Sequence, residues 1–168
     1  MFNTEMIVSL IAAALLGAAI SYYLLNRSHK SSPATPPPSP TNLSLALQAY
    51  ERLLLLADRI ALPNLINRLP NEGISAAEMR VLVVKHIREE FDYNVTQQMY
   101  VSAETWKALK NFRDKNLLIV NQISMQLPQE ATALDLQKAI LTFLVNDQHA
   151  NLHDLVSEAL SYEAKKLM

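Results

Sequence analysis

His149 and His153 lie four residues apart, a spacing that puts two imidazoles on one face of a continuous helix, where they could share a metal ion. Asp147 and Asp154 are close enough in the chain to add oxygen ligands. A zinc site normally takes three or four ligands, and an HxxxH pair supplies two. Asn151, between the histidines, also favours a break that would turn the rings apart. Solvated polar residues at a helix junction are the weightier account, so no metal or other cofactor is expected. Glu89, Glu90 and Asp92 follow His86 as an acidic cluster. General acid–base work would need two such groups to converge on a pocket, and a solvated helix end explains them better. Lys107, Lys110 and Arg113 form a basic stripe beside Trp106 and Phe112, fit for anionic lipid or an acidic partner. Glu104 and Asp114 interleave it, as on an ordinary charged helix face. No residue is assigned a catalytic role.

The best candidate for a partner surface is the segment Tyr93–Val101 with Trp106. It interrupts the helical pattern and gathers Tyr93, Met99, Tyr100 and Trp106, side-chain types enriched where proteins dock. Burial of the same side chains to complete a core is the competing account, and the heavier one.

Composition removes several function classes. The chain has 168 residues, a net charge of −1 and no cysteine, so disulfides and thiolate chemistry are absent. Thirteen bases and fifteen acids follow residue 30, a balance of −2 that gives no electrostatic footprint for nucleic acid. Gly17 and Gly73 are its two glycines. Phosphate-cradling loops need several, because the backbone must approach the anion closely. Walker loops, dinucleotide fingerprints and Gly-x-Ser-x-Gly elbows cannot be written from this sequence.

The elements that must position these residues begin with an apolar run. Met6–Leu25 is twenty residues without a charge, long enough as a helix to cross the ~30 Å hydrocarbon core of a bilayer. Residues 1–5 contain no Lys or Arg, unlike the basic start of a signal peptide, so the run is expected to be a retained transmembrane helix. Arg27 and Lys30 follow it, which places the C-terminal side in the cytoplasm and residues 1–5 outside. The expected location is a single-pass position in the cell inner membrane, with the lipid bilayer as the first partner. Ser9, Ala13, Gly17 and Ser21 fall every fourth residue, a small-residue stripe that would let a second copy pack closely as a homodimer. An alanine-rich segment also produces such a stripe by composition alone.

Residues 26–41 form a proline- and serine-rich linker, with five prolines between Ser28 and Thr41. Such a segment extends rather than packs, reaching roughly 40 Å at ~3.1 Å per residue. Residues 42–168 are long enough for one cored domain. Asn42 is expected to cap its first helix, which carries Leu43, Leu47, Tyr50, Leu54, Ala57 and Ile60 on a stripe widened by Leu53, Leu55 and Leu56, and is ended or redirected by Pro63. Pro70–Gly73 is a turn. Ser75–Glu78 is a capping box ahead of Met79, Leu82, Val83, Ile87 and Phe91. Tyr93–Val101 should be extended or loosely helical. Ser102 starts the next helix, Thr132 with Asp135 another, with Leu134, Ala139, Ile140, Phe143 and Leu144 inward. Leu152, Leu155, Val156, Ala159, Leu160 and Tyr162 mark the last. The fold class is all-α: an antiparallel bundle of four long helices plus short ones behind the anchor and linker.

The segments Leu47–Leu53 (LQAYERL), Glu90–Asn94 (EFDYN) and Gln98–Ser102 (QMYVS) with Trp106 resemble an uncharacterised bacterial family of single-span proteins with a cytoplasmic helical domain. The resemblance implies that architecture and a bacterial inner-membrane setting, and no activity, cofactor or catalytic residue. Two functions from different classes remain. The favoured one is a membrane-tethered interaction or scaffold module that recruits a protein partner. The other is an unrecognised membrane-anchored enzyme, metal-dependent through His149 and His153. An enzyme needs a converged polar pocket, whereas a scaffold needs an exposed apolar patch.

Overall fold

The computed structural model describes residues 40–147 and 152–168. The chain divides into units Met1–Pro38 and Ser39–Met168, and the described residues belong to the second. They form α1 (Pro40–Ile60), α2 (Leu62–Arg68), α3 (Ala76–Tyr93), a 3-10 helix (Val95–Tyr100), α4 (Ala103–Gln126), α5 (Ala133–Asn146) and α6 (His153–Lys165). The architecture is all-α. Among the described residues no helix is long and apolar enough to cross a membrane. The run Met6–Leu25, its small-residue stripe and most of the linker lie outside them.

Local chemistry explains the helix ends. α1 begins at Pro40, two residues before the expected cap, because proline's fixed φ and missing N–H suit a first helical turn. It breaks at Ala61, whose ψ of 122° leaves helical space ahead of Pro63. Gly73 has φ 74°, a left-handed turn conformation that a side chain would strain. Ser75 and Thr132 both cap with complete boxes, Ser75 with Glu78 and Thr132 with Asp135. The two caps face one another. Ala76 N donates to Ala131 O at 2.8 Å and Ala133 N to Ile74 O at 3.0 Å, a single antiparallel bridge. α3 and α5 therefore start side by side.

α1, α3, α4 and α5 alternate in direction. Arg80 meets Asn121 while Phe91 meets Trp106, so α3 and α4 run antiparallel. α6 runs antiparallel to α1, since Tyr50 meets Glu163 while Asp58 lies near His153. α6 thus points the same way as α5, a departure from strict alternation. Three helices have 18 to 24 residues and two have 13 or 14, so the expected four long helices are three long and two of middle length.

Leu53, Leu56, Ile60, Met79, Ile87, Leu109, Phe112, Leu136, Ile140 and Leu160 are fully buried and form one core. Two expected faces are corrected. On α5, Leu134 and Phe143 are 44% and 36% exposed, and Leu136 takes the inward place. Outside the polar arc of Asp135, Lys138, Thr142 and Asn146 this helix is largely apolar, so periodicity left a wide choice of inward face that the bridge to α3 narrows. On α6, Leu155 and Tyr162 are 63% and 61% exposed, and Val156 and Leu160 face the core.

Candidate functional site

The outer stripe of α1 carries Leu45, Gln48, Arg52, Leu55 and Arg59 at helical spacing. Alongside it lies the end of α3 and the 3-10 helix. α3 stops because Asn94 leaves helical geometry, at φ −104° and ψ 5°. Its buried side chain donates to Glu90 O at 2.9 Å and holds the exit in place. The 3-10 helix Val95–Tyr100 buries no residue and so presents its side chains outward.

Between these elements runs an open groove. One depression of about 600 Å³ is lined by Arg52, Leu55, Leu56, Arg59, Glu89, Glu90, Tyr93 and Asn94. A smaller one, about 250 Å³, is lined by Leu45, Gln48, Ala49, Arg52, Thr96, Gln97, Met99 and Tyr100. Arg52 belongs to both. Leu55, Tyr93 and Met99 are more than half exposed. Arg59 donates from Nε to Glu90 Oε1 at 2.7 Å and again from Nη2, and this carboxylate raises the arginine's pKa.

Tyr93, Met99 and Tyr100 of the expected partner surface thus border one groove. Trp106 does not. It is 9% exposed, faces inward from α4, and stacks on Phe91 at 5.2 Å between ring centroids. Its role is packing, as its spacing from Val101 across the Ser102 cap allows.

The other candidates are divided by the fold. Of the acidic cluster, Glu89 lies 3.8 Å from Lys85 and Glu90 pairs with Arg59, and both border the larger depression. Arg113 leaves the basic stripe: its guanidinium lies 4.3 Å from the Phe91 ring centroid and pairs with Asp114 at 2.8 Å. His149 lies outside the described residues. His153 has Asp154 at 3.0 Å from Nδ1 and Asp58 at 3.9 Å from Nε2. The two carboxylates approach different nitrogens and do not share a point. Among the described residues no group of three or more metal-ligating side chains assembles.

One polar cluster was not read from the sequence. Glu163 accepts from Tyr50 Oη at 3.1 Å, Thr105 Oγ1 at 2.7 Å, Ser102 N at 3.2 Å and the Ser102 hydroxyl. Burial works against its charge, but the hydrogen bonds outweigh it and lower its pKa. The Ser102 hydroxyl also caps α4, accepting from Thr105 N at 3.1 Å. The cluster ties α6 to α1 and α4. Its sequence signal is the spacing Val156, Leu160, Glu163, which puts a carboxylate on the buried stripe.

A family of unknown function, DUF7935, matches residues 2–167. The chain belongs to this family. The match covers the apolar run, the linker and the bundle, so family DUF7935 spans every segment discussed above. Neither functionally characterised proteins nor solved structures yield a match.

Proposed function

We propose that the protein is a membrane-tethered interaction module that docks a protein partner in the groove between α1 and the 3-10 helix. The observation that carries this reading is the exposure of Leu55, Tyr93 and Met99 along one groove. The groove follows α1 from Leu45 to Arg59, roughly 20 Å at 1.5 Å per residue. That length suits an amphipathic helix or an extended segment. The anchor is Met6–Leu25, in a bacterial inner membrane, with residues 1–5 outside and the bundle in the cytoplasm. The charge-free run and the Arg27/Lys30 asymmetry support it.

Affinity purification of tagged full-length protein from solubilised membranes tests the docking. A partner should copurify with wild type and be lost with Leu55→Asp and Met99→Asp, while melting stays unchanged. A partner retained equally by both variants would move the interface elsewhere. Alkaline phosphatase fused to the C-terminus should be inactive; strong activity would reverse the orientation. The enzyme alternative turns on His149 and His153. Elemental analysis should find no stoichiometric zinc or iron, and about one metal per chain, lost in His153→Ala, would revive it.

A further inference from the structure

Toward one end of the bundle the start of α4 at Ser102 and the last turns of α6 at Glu163 meet α1 at Tyr50, and α1 runs ten residues, ~15 Å, further to its start at Pro40. Glu163 sets this register through its bonds to Tyr50 and Thr105. Beyond it the last turn of α6 is apolar and basic, and Glu104 is the exposed acid in the first turn of α4. Tyr162 and Met168 are 61% and 82% exposed. Lys165 and Lys166 are exposed, and Lys166 Nζ lies 4.1 Å from the Tyr162 ring centroid. The nearest acid in sequence, Glu163, is turned inward to hydroxyls. A ring with a polar tip beside ammonium groups suits the headgroup layer of an anionic bilayer.

We infer that the segment Tyr162–Met168 docks on an anionic lipid surface and gives the bundle a membrane contact of its own. This rests on the anchor reading of Met6–Leu25. Pro40 lies at this same end of the bundle, and the fourteen residues 26–39 separate it from the apolar run. A tether that short keeps the segment at roughly millimolar effective concentration near lipid. The two lysines, worth about 1 kcal/mol each near an anionic surface, and the ring then act together with this tethering, whereas a free domain would bind weakly.

The chain has no cysteine, so one introduced cysteine carries a fluorophore at a single place. Full-length Met168→Cys is labelled and reconstituted in vesicles of zwitterionic lipid, with or without phosphatidylglycerol, containing brominated acyl chains. Gln129→Cys, in the exposed loop at the far end of α4, is the control. The label at 168 should be quenched several-fold more than the label at 129, in anionic vesicles only. High salt and the pair Lys165→Glu/Lys166→Glu should abolish the difference while the helical melt is kept. Equal quenching at 168 and 129, or quenching indifferent to salt and charge reversal, overturns the proposal. A shielded label in native membranes but not in protein-free vesicles overturns it in favour of a protein partner. An alkaline wash separates the two readings. If it strips the chain, the anchor reading fails, and docking then stands only on salt-sensitive flotation of the stripped protein with anionic vesicles. Absence of that flotation overturns docking too.

Discussion

Asn116, buried in α4, donates its side-chain amide to the carbonyl oxygen of Ile60 at 2.8 Å. It is one of three side chains that close the end of α1. Asn64 donates to Asp58 O at 3.2 Å, and Arg68 donates to Arg59 O. Pro63 lacks an N–H and cannot continue the helical ladder, so these carbonyls must find other donors. Two find them in the turn that follows. The third is reached only by the buried amide of α4.

Asn116→Leu should therefore cost about 1–3 kcal/mol, because a buried carbonyl is left without a donor and without water. Thermal melting should fall by roughly 3–12 °C, at ~3–4 °C per kcal/mol for a domain of this size. Arg68→Ala, at an exposed end of the same cap, should cost within about 1 kcal/mol. Equal losses in urea titrations would mean that burial of the Ile60 carbonyl does not set the difference.

Glu163 and Tyr50 should bound stability from opposite sides of the pH scale. The folded-state pKa of Glu163 is depressed. Its contribution is present above the unfolded carboxylate value and is lost as pH falls through that value to the lower folded one. Tyr50 is pushed up to about 12, by burial first and then by its bond to Glu163. Its contribution is present below the unfolded value of ~10 and is lost as pH rises from there to about 12. Glu163→Gln should flatten the acid limb of the melting-temperature profile, and Tyr50→Phe the alkaline limb. An acid limb unchanged in Glu163→Gln would assign it to other carboxylates.

The facing caps of α3 and α5 should act as a unit. Thr132→Ala should cost about 1 kcal/mol, as for other N-cap threonines. Ser75→Ala should cost a similar amount. The backbone bridge between Ser75 and Thr132 couples them, so the double variant should depart from additivity by at least ~0.5 kcal/mol. Additive losses in a double-mutant cycle would show that each cap serves only its own helix.

Self-association through the anchor has a separate test. Gly17 sits within the stripe Ser9, Ala13, Gly17, Ser21. A bulky side chain there would hold two helices apart, and close packing is a main source of helix pairing in lipid. Gly17→Leu should weaken membrane crosslinking of the full-length chain and leave melting of the bundle unchanged. Equal crosslinking would assign any dimer to the bundle.

The sequence by itself determined where α3, α4 and α5 start and where α1 is interrupted. Ser75, Ser102 and Thr132 cap where their side chains can reach a backbone N–H three residues on, and Pro63 and Gly73 interrupt where the backbone must. Those are local interactions, complete within one turn. The inward stripe of α3 was legible for the same reason, since Met79, Val83, Ile87 and Phe91 stand against a polar opposite face. Only the tertiary structure decided the rest. α5 is apolar around most of its circumference, so its inward face depends on a bridge to a loop nearly sixty residues earlier. Trp106 and Tyr93 have similar affinities for a core and for a partner. Their separation into core and groove follows from the turn at Asn94, which brings Phe91 onto Trp106 and leaves Tyr93 outside. Glu163 reads as one more charged residue until α6 is laid against α1 and α4. Then four donors from two other elements converge on it, a convergence that no spacing along the chain encodes.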